Sequence, residues 1–233
     1  MSAESGIPTF RGTHDSLWSR FDPMRLATAE AWREDPALVW GWYRWRMRLV
    51  RDAQPNAGHR ALAALAQRVP LSLVTQNVDD LHERAGSIVD AHVHGSLFAL
   101  RCFACGRAHD GPLDDYVDGV QRIEPMRCAA CGDRIRPGVV WFGEALPDDA
   151  WSTATDAATR CSLMLVVGTS GLVYPAAGLP VLARRHGATV VEINPEPTAL
   201  SAEADHVWRA TAAQALPQLS VSHSIDRSSL TGR

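Results

Sequence analysis

Leu163-Met164-Leu165-Val166-Val167-Gly168-Thr169-Ser170-Gly171 is the stretch whose reading decides the fold. Five consecutive apolar residues, with no polar alternation, suit a strand covered on both faces, and Gly-Thr-Ser-Gly then reads as a loop at its carboxyl end. Two other runs follow the same pattern. Leu71-Ser72-Leu73-Val74-Thr75 leads into Gln76-Asn77-Val78-Asp79, and Thr189-Val190-Val191-Glu192-Ile193 leads into Asn194-Pro195-Glu196-Pro197. Helical stretches are expected around 57–68, 150–158 and 176–186. Strand, loop and helix in repetition predict an α/β fold, a Rossmann-like parallel sheet with helices on both faces. Such sheets bind ligands beyond the carboxyl ends of their strands, so the three polar loops are expected to converge on one cleft.

Two segments interrupt this rhythm. A helix is expected from Asp35 to about Asp52, with Asp35 as its N-cap and Pro36 at the first helical position. Residues 101–136 carry four cysteines and many turn residues but few apolar runs. We therefore expect a large Rossmann-like domain from 1–34, 71–100 and 137–219. A smaller lobe would combine a helical module, 35–70, with a zinc-ribbon module, 101–136. Residues 220–233 are Ser-rich and aperiodic and are expected to form a disordered tail.

The composition is that of an ordinary globular chain: 233 residues, 46% apolar, 26 acidic against 23 basic side chains. Every basic residue is arginine, and the net charge of −3 argues against a globally basic nucleic-acid-binding protein. Arg101, Arg107, Arg122, Arg127, Arg134 and Arg136 do cluster near the cysteines, and we read them as a solvated surface, so nucleic acid is not expected as a partner. The most apolar window, 163–173, is too short to span a bilayer, and no basic segment followed by an apolar one opens the chain. These features predict a cytoplasmic protein with no membrane partner.

Five cysteines, four of them in two Cys-x-x-Cys pairs, indicate metal rather than disulfides in a chain of this kind. Cys102 and Cys105, then Cys128 and Cys131, supply the four soft ligands that tetrahedral zinc favours. Gly106 and Gly132 follow the pairs and tolerate a tight turn. Four thiolates close the coordination shell and leave no position for a reactive water, so the predicted zinc is structural. Cys161 is expected to be a buried core thiol.

Taken singly, the loops leave their roles open. Gln76-Asn77-Val78-Asp79 offers amides and a carboxylate that suit a ribose or carboxamide, and equally suit capping of the next helix. Gly168-Thr169-Ser170 lets backbone amides approach a phosphate or ribose. Their order is more specific. Ser5-Gly6-Ile7-Pro8-Thr9-Phe10-Arg11-Gly12, Thr75-Gln76-Asn77-Val78-Asp79, His82 with Ala85-Gly86, His94-Gly95-Ser96-Leu97 and the two cysteine pairs come first. Pro137-Gly138-Val139-Val140-Trp141-Phe142-Gly143-Glu144, Gly168-Thr169-Ser170, Val173-Tyr174-Pro175-Ala176 and Glu192-Ile193-Asn194 complete the series. In this arrangement the chain resembles the sirtuins, NAD-dependent protein lysine deacylases, over roughly residues 3–219.

The resemblance implies NAD as cofactor, one structural zinc, and acylated lysine side chains of other proteins as substrates, with nicotinamide and O-acyl-ADP-ribose as products. It assigns His94 as the general base, a task suited to a group that titrates near neutrality. It places Ser5, Phe10 and Arg11 in the cofactor-binding loop and Gln76, Asn77 and Asp79 at the nicotinamide ribose and carboxamide. It puts Gly168, Thr169, Ser170, Asn194, Glu196 and Ala212 at the adenosine end. Val140, Phe142 and Gly143 match the strip whose backbone pairs with an extended peptide. Tyr43 and Arg46, three apart on one helical face, resemble the pair in sirtuins that remove succinyl and malonyl groups. A guanidinium and a phenol suit a terminal carboxylate. Without the resemblance, Arg46 reads as a solvated residue on a helix that also holds Arg44, Arg48, Arg51, Trp40, Trp42 and Trp45.

One feature departs from the family pattern. Sirtuins of this type place an apolar strand and a Gly-Ala-Gly turn before the segment matching Ser2 to Gly6, whereas this sequence begins at Met1. Two explanations stand: Met1 is internal to a longer coding sequence, which we prefer, or the chain is a shortened homologue that binds acyl-lysine without efficient turnover. ADP-ribosyl transfer to protein is a lesser alternative that uses the same cofactor site.

Overall fold

The computed structural model describes residues 1–8, 23–113 and 118–221. The helices are α1 (Pro23–Leu26), α2 (Ala29–Glu34), α3 (Pro36–Asp52), α4 (Ala57–Ala66), α5 (Leu81–Arg84), α6 (Asp148–Arg160), α7 (Leu179–Arg185) and α8 (Ala212–Val221). The strands are β1 (Val74–Thr75), β2 (Ala91–His92), β3 (Gly95–Cys102), β4 (Ile135–Val139), β5 (Leu163–Val167), β6 (Thr189–Ile193) and β7 (His206–Trp208). Strands β5, β6 and β7 form a parallel sheet in that order, and β1 pairs in parallel with β2. The β5 and β6 runs occupy the residues predicted for them, whereas only Val74 and Thr75 of the 71–75 run are extended enough to pair.

The uninterrupted apolar runs are explained by helices on both faces of the sheet. Met164 packs toward a cluster that holds Ala154, Ala158 and Ala183 of α6 and α7. Leu165 and Val167 pack instead toward Ile193 and toward Ala61 and Ala215 of α4 and α8. Because successive side chains of a strand point to opposite faces, a strand serving two such clusters must be apolar wherever it reaches them, as Met164 to Val167 are, while Leu163 at its start is exposed. Cys161 lies beside the first cluster and is half-buried rather than fully buried, with its thiol donating to the Ala158 carbonyl at 3.4 Å.

The small lobe is organised by α3. Asp35 accepts from the Leu38 amide at 3.0 Å and Pro36 opens the first turn, so the predicted start is the observed one. Val39 through Met47 are buried on every side of the helix, Arg44 and Arg46 included. Their cover comes from α2, from β3 and β4, which pair antiparallel, and from the segment before β4. Gly41 allows the closest approach: a Cβ there would lie 1.5 Å from the Gln121 carbonyl oxygen. The cysteine-bearing residues and α3 thus share one core that holds Cys102, Cys128, Ile135 and Trp141. Helix α4 packs on α8, beside the parallel sheet, so of residues 35–70 it is α3 that builds the small lobe. The predicted tail begins as the end of α8, and 222–233 lie outside the described residues.

Helix α4 carries a buried titratable group at its start. The Asn56 side chain accepts from the Gly58 and His59 amides, and the Asn56 amide donates back to His59 Nδ1 at 3.2 Å, closing a capping box. His59 Nε2 is buried without a partner among the described residues, and the ring meets His82 edge-on at 4.9 Å. Burial, reinforced by His82, pushes the His59 imidazole down to about 3 from 6.5. The unfolded chain therefore binds this proton below about pH 6.5 and the folded chain does not, so the stability it secures is complete above that pH and shrinks below it. His59→Gln keeps an acceptor for the capping box and removes the titration. Between pH 7 and pH 5 the melting temperature of the parent should fall more steeply than that of the variant, and parallel curves would contradict this assignment.

Candidate active site

The polar loops meet through one chain of hydrogen bonds. Beyond β1, the Gln76 carbonyl accepts from His94 Nδ1 at 3.1 Å, and the Gln76 side-chain amide donates to Thr169 Oγ1 at 3.4 Å. Beyond β5, the Thr169 carbonyl accepts from Asn194 Nδ2, beyond β6, at 2.8 Å. His94, Gln76, Thr169 and Asn194 are therefore brought together at the carboxyl ends of the strands, as the alternation of elements predicted.

His94 is held in a defined state. A carbonyl can only accept, so Nδ1 carries the proton and Nε2 carries the lone pair. Burial lowers the His94 pKa, with the Gln76 hydrogen bond opposing, and the ring stays neutral at physiological pH. Its backbone is equally constrained. Gly95 has φ +71°, and a Cβ there would lie 2.0 Å from the Gly138 carbonyl oxygen, so only glycine can follow His94. The His94 carbonyl accepts from the Val140 amide at 2.9 Å, tying the histidine to the predicted peptide strip.

The remaining predicted cofactor residues surround this chain unevenly. Asn77 donates to Ser2 Oγ at 2.8 Å, and Asn56 donates to Ser5 Oγ at 3.1 Å, so the Ser2–Ser5 3-10 turn stands against the Asn77 loop. Glu4 of that turn accepts from the Ala213 amide, next to buried Ala212 at the start of α8. Gly168 has φ +61°, and a side chain there would approach the Met1 nitrogen to 2.7 Å. Ser170 is half-buried beside Thr169, and Glu196 is exposed on the loop after β6. Asp79 is buried and accepts from the Leu81 amide at 3.2 Å, holding the turn that leads into α5. Phe10 and Arg11 lie outside the described residues.

Tyr43 and Arg46 are 1% and 6% exposed, which excludes the solvated reading of this helix face. The Arg46 guanidinium lies 4.9 Å from the Trp42 ring centre and 5.6 Å from that of Tyr43. Burial lowers its pKa, and Tyr43 and Asp79 oppose that shift. Burial likewise pushes the Tyr43 phenol up to about 12, so it remains a neutral donor. On the predicted peptide strip, Val140 is half-buried while Phe142 and Gly143 are exposed. The Phe142 amide donates to the Ala27 carbonyl at 2.9 Å and Phe142 bridges in parallel to Thr28, while the Val140 amide is engaged by His94, so part of the strip's backbone is already paired within the chain.

Sequence reading missed Arg136, Trp141 and Glu144 as working side chains. Arg136 belongs to the cluster read as solvated surface, yet it is 2% exposed, stacks on Trp141 and pairs with Glu144. Nothing in its local sequence sets it apart from its exposed neighbours; only the packing of β4 against the turn at Trp141 does.

The cysteines meet the requirements of zinc. All four sulfurs lie within 4.8 Å of one another, with Cys102–Cys131 at 3.4 Å and Cys105–Cys128 at 3.8 Å. A tetrahedron with about 2.3 Å zinc–sulfur bonds requires sulfurs about 3.8 Å apart. Hydrogen bonds from the Ala130 and Cys131 amides lower the Cys128 thiol to about 7, favouring the thiolate a metal binds. For NAD the fit rests on the amide and hydroxyl donors of Gln76, Asn77, Thr169 and Asn194 and on the bare backbone of Gly168.

These features define a class: a Rossmann-like α/β protein with a four-cysteine zinc module and a nucleotide cleft holding a neutral histidine. The Sir2 family profile matches residues 1–175, and the chain belongs to that family. It is 53% identical over 219 residues to an NAD-dependent protein deacylase of Mycolicibacterium paratuberculosis, covering 94% of this chain and 92% of the relative. It is 55% identical over 222 residues to NAD-dependent protein deacylase 1 of Pseudomonas aeruginosa, covering 94% and 89%. Among solved structures, a complex of a Sir2 homologue with NAD superposes with a TM-score of 0.85 at 46% identity, covering 95% of this chain and 84% of that one. A Sir2 complex with a p53 peptide and NAD+ superposes at 0.78 with 28% identity, covering 97% and 90%.

The zinc module is directly testable. The purified protein should carry one zinc per chain, and Cys128→Ser should lose it and melt at least about 10 °C lower, since the metal's binding energy is part of the folding energy of such modules. A variant that kept both its melting temperature and its zinc would rule out this assignment.

Proposed function

We propose that this chain, an NAD-dependent protein deacylase of the Sir2 family, favours lysines bearing acidic acyl groups such as succinyl and malonyl while retaining some deacetylase activity. The observation that carries this reading is the burial of the Arg46 guanidinium one turn from the Tyr43 phenol. A terminal carboxylate of the acyl group carries a negative charge and accepts hydrogen bonds from both a guanidinium and a phenol. An acetyl group offers neither.

When bound, NAD supplies the ribose–nicotinamide bond whose cleavage lets the acyl group leave the lysine. The chain's own contribution begins with orientation. Gln76, Asn77 and Thr169 present amide and hydroxyl groups at the cleft, and Gly168 keeps its floor free of side chains. His94, neutral and donating through Nδ1, takes up a proton at Nε2. The carbonyls of Val140 and Phe142 and the amide of Gly143 pair with an extended peptide, adding a strand to the strip. The substrate lysine comes from another protein, because this chain has none. A reader of acyl-lysine without turnover is not favoured, since relatives more than 50% identical are NAD-dependent protein deacylases.

Two outcomes follow. Arg46→Met should lower kcat/KM for a succinyl-lysine peptide by about 10- to 100-fold, as expected for losing a charge-assisted pair, with deacetylation changed by less than about threefold. Equal losses on both peptides would refute the acidic-acyl reading. Because burial lowers the His94 pKa, the acid limb of kcat/KM should lie below pH 6.5, with activity falling as pH drops through it. Nicotinamide release measured across pH checks this, and a limb above pH 7 would assign the base elsewhere.

A further inference from the structure

The network behind Tyr43 spans two segments far apart in sequence. Trp141 Nε1 donates to the Tyr43 hydroxyl at 2.9 Å, with both side chains 1% exposed. Trp141 is clamped in turn. The Arg136 guanidinium stacks over its indole with the central carbon 3.2 Å from the ring centre. Arg136 donates to both oxygens of Glu144, and to the Val139 carbonyl at 2.7 Å. Glu144 also accepts from the Trp141 backbone amide at 2.8 Å. One carboxylate therefore holds the backbone of Trp141 and the cation on its face, while Trp32 and Phe103 pack against the indole with ring centres at 5.6 and 6.2 Å.

A phenol has one proton and an acceptor oxygen. The Trp141 N–H occupies the acceptor side, and this is the only hydrogen bond of the Tyr43 hydroxyl among the described residues. A rotor that accepts on one side directs its own O–H away from that donor. Tyr43 is thereby left with a proton to give, in a fixed direction, on the helix face that carries Arg46.

We propose that Trp141, locked by Arg136 and Glu144, is a positioning residue that aims the Tyr43 O–H at the acyl carboxylate and so sharpens the choice between acidic and neutral acyl groups. This rests on the acidic-acyl reading above and adds to it the device that sets the donor's direction. It also gives the strip around Trp141 a double duty. Val140, Phe142 and Gly143, on either side of Trp141, hold the substrate peptide through their backbone, and the indole between them holds the residue that reads the acyl group. The position of the peptide and the aim of the phenol are then fixed by the same turn.

The test uses Trp141→Phe, which removes the indole N–H and keeps an aromatic ring. With the full-length zinc-loaded enzyme, KM for a succinyl-lysine peptide should rise about three- to tenfold, the range of one neutral hydrogen bond, with kcat unchanged. KM and kcat for the acetyl-lysine peptide should stay within about twofold. In a Tyr43→Phe background the same change should leave succinyl KM unaltered, because the hydroxyl it aims is gone. Equal losses on both peptides, or an undiminished loss in the Tyr43→Phe background, would overturn the proposal and mark Trp141 as a core residue only. If Trp141→Phe folds poorly, Arg136→Lys replaces it. That change removes the planar stack and one of the two Glu144 contacts, and the same selective rise in KM is expected, with a flat or unselective result overturning the proposal. The underlying reading fails differently: a parent enzyme with no succinyl preference overturns the acidic-acyl reading before Trp141 is touched. A selective parent with an unselective Trp141→Phe overturns the positioning role alone.

Discussion

The hydrogen bond from His94 Nδ1 to the Gln76 carbonyl, 3.1 Å long, is the constraint on which the rest of the site depends. It sets the tautomer of the base, and it anchors the Gln76 loop, whose side chain then reaches Thr169 and through it Asn194. On the other side of the same residue, the His94 carbonyl holds the Val140 amide and so the peptide strip. One residue thus connects the loops beyond β1 and β5 to the Val140 segment. Gly95 makes this possible, since any side chain after His94 would collide with the Gly138 carbonyl and separate the two.

The second constraint is the burial of charge in the small lobe. Arg44, Arg46 and Arg136 are each almost wholly excluded from water, in a core otherwise made of tryptophan, tyrosine and aliphatic side chains. Guanidinium groups tolerate this better than ammonium groups because they are weakly hydrated and stack on aromatic faces. Arg136 is satisfied by Glu144 and by backbone carbonyls; Arg46 lies over the rings of Trp42 and Tyr43. The zinc stands in the same core through Cys102 and Cys128, so the metal stabilises the wall against which α3 and Trp141 pack.

Much of this was legible along the chain. The β5 run was recognisable because a strand buried on both faces is apolar along most of its length, and the start of α3 because Asp35 and Pro36 supply a cap and a preset first turn; β6 also holds a buried charge, Glu192, which Thr198, Ser201 and Arg209 satisfy. The cysteine spacing identified the metal because knuckle geometry is local. The convergence of the Gln76, Thr169 and Asn194 loops followed from the rule that parallel strands present their carboxyl ends together. Of the arginines near the cysteines, Arg107, Arg122 and Arg127 are exposed as expected, whereas Arg136 was misread. Arg136 has the same local surroundings in sequence as Arg134, and only the turn that returns Glu144 and Trp141 to its side distinguishes them.

The sequence by itself determined the class of fold and the metal ligands, because each depends on a periodicity or a spacing that a few neighbouring residues express completely. The tertiary structure alone decided the protonation state of His94, the burial of Arg46, and the Trp141–Tyr43 contact across 98 positions of the chain. Those properties depend on which groups are brought within hydrogen-bonding distance and which are removed from water. Both are set only when α3, the cysteine module and the strip before α6 close on one another.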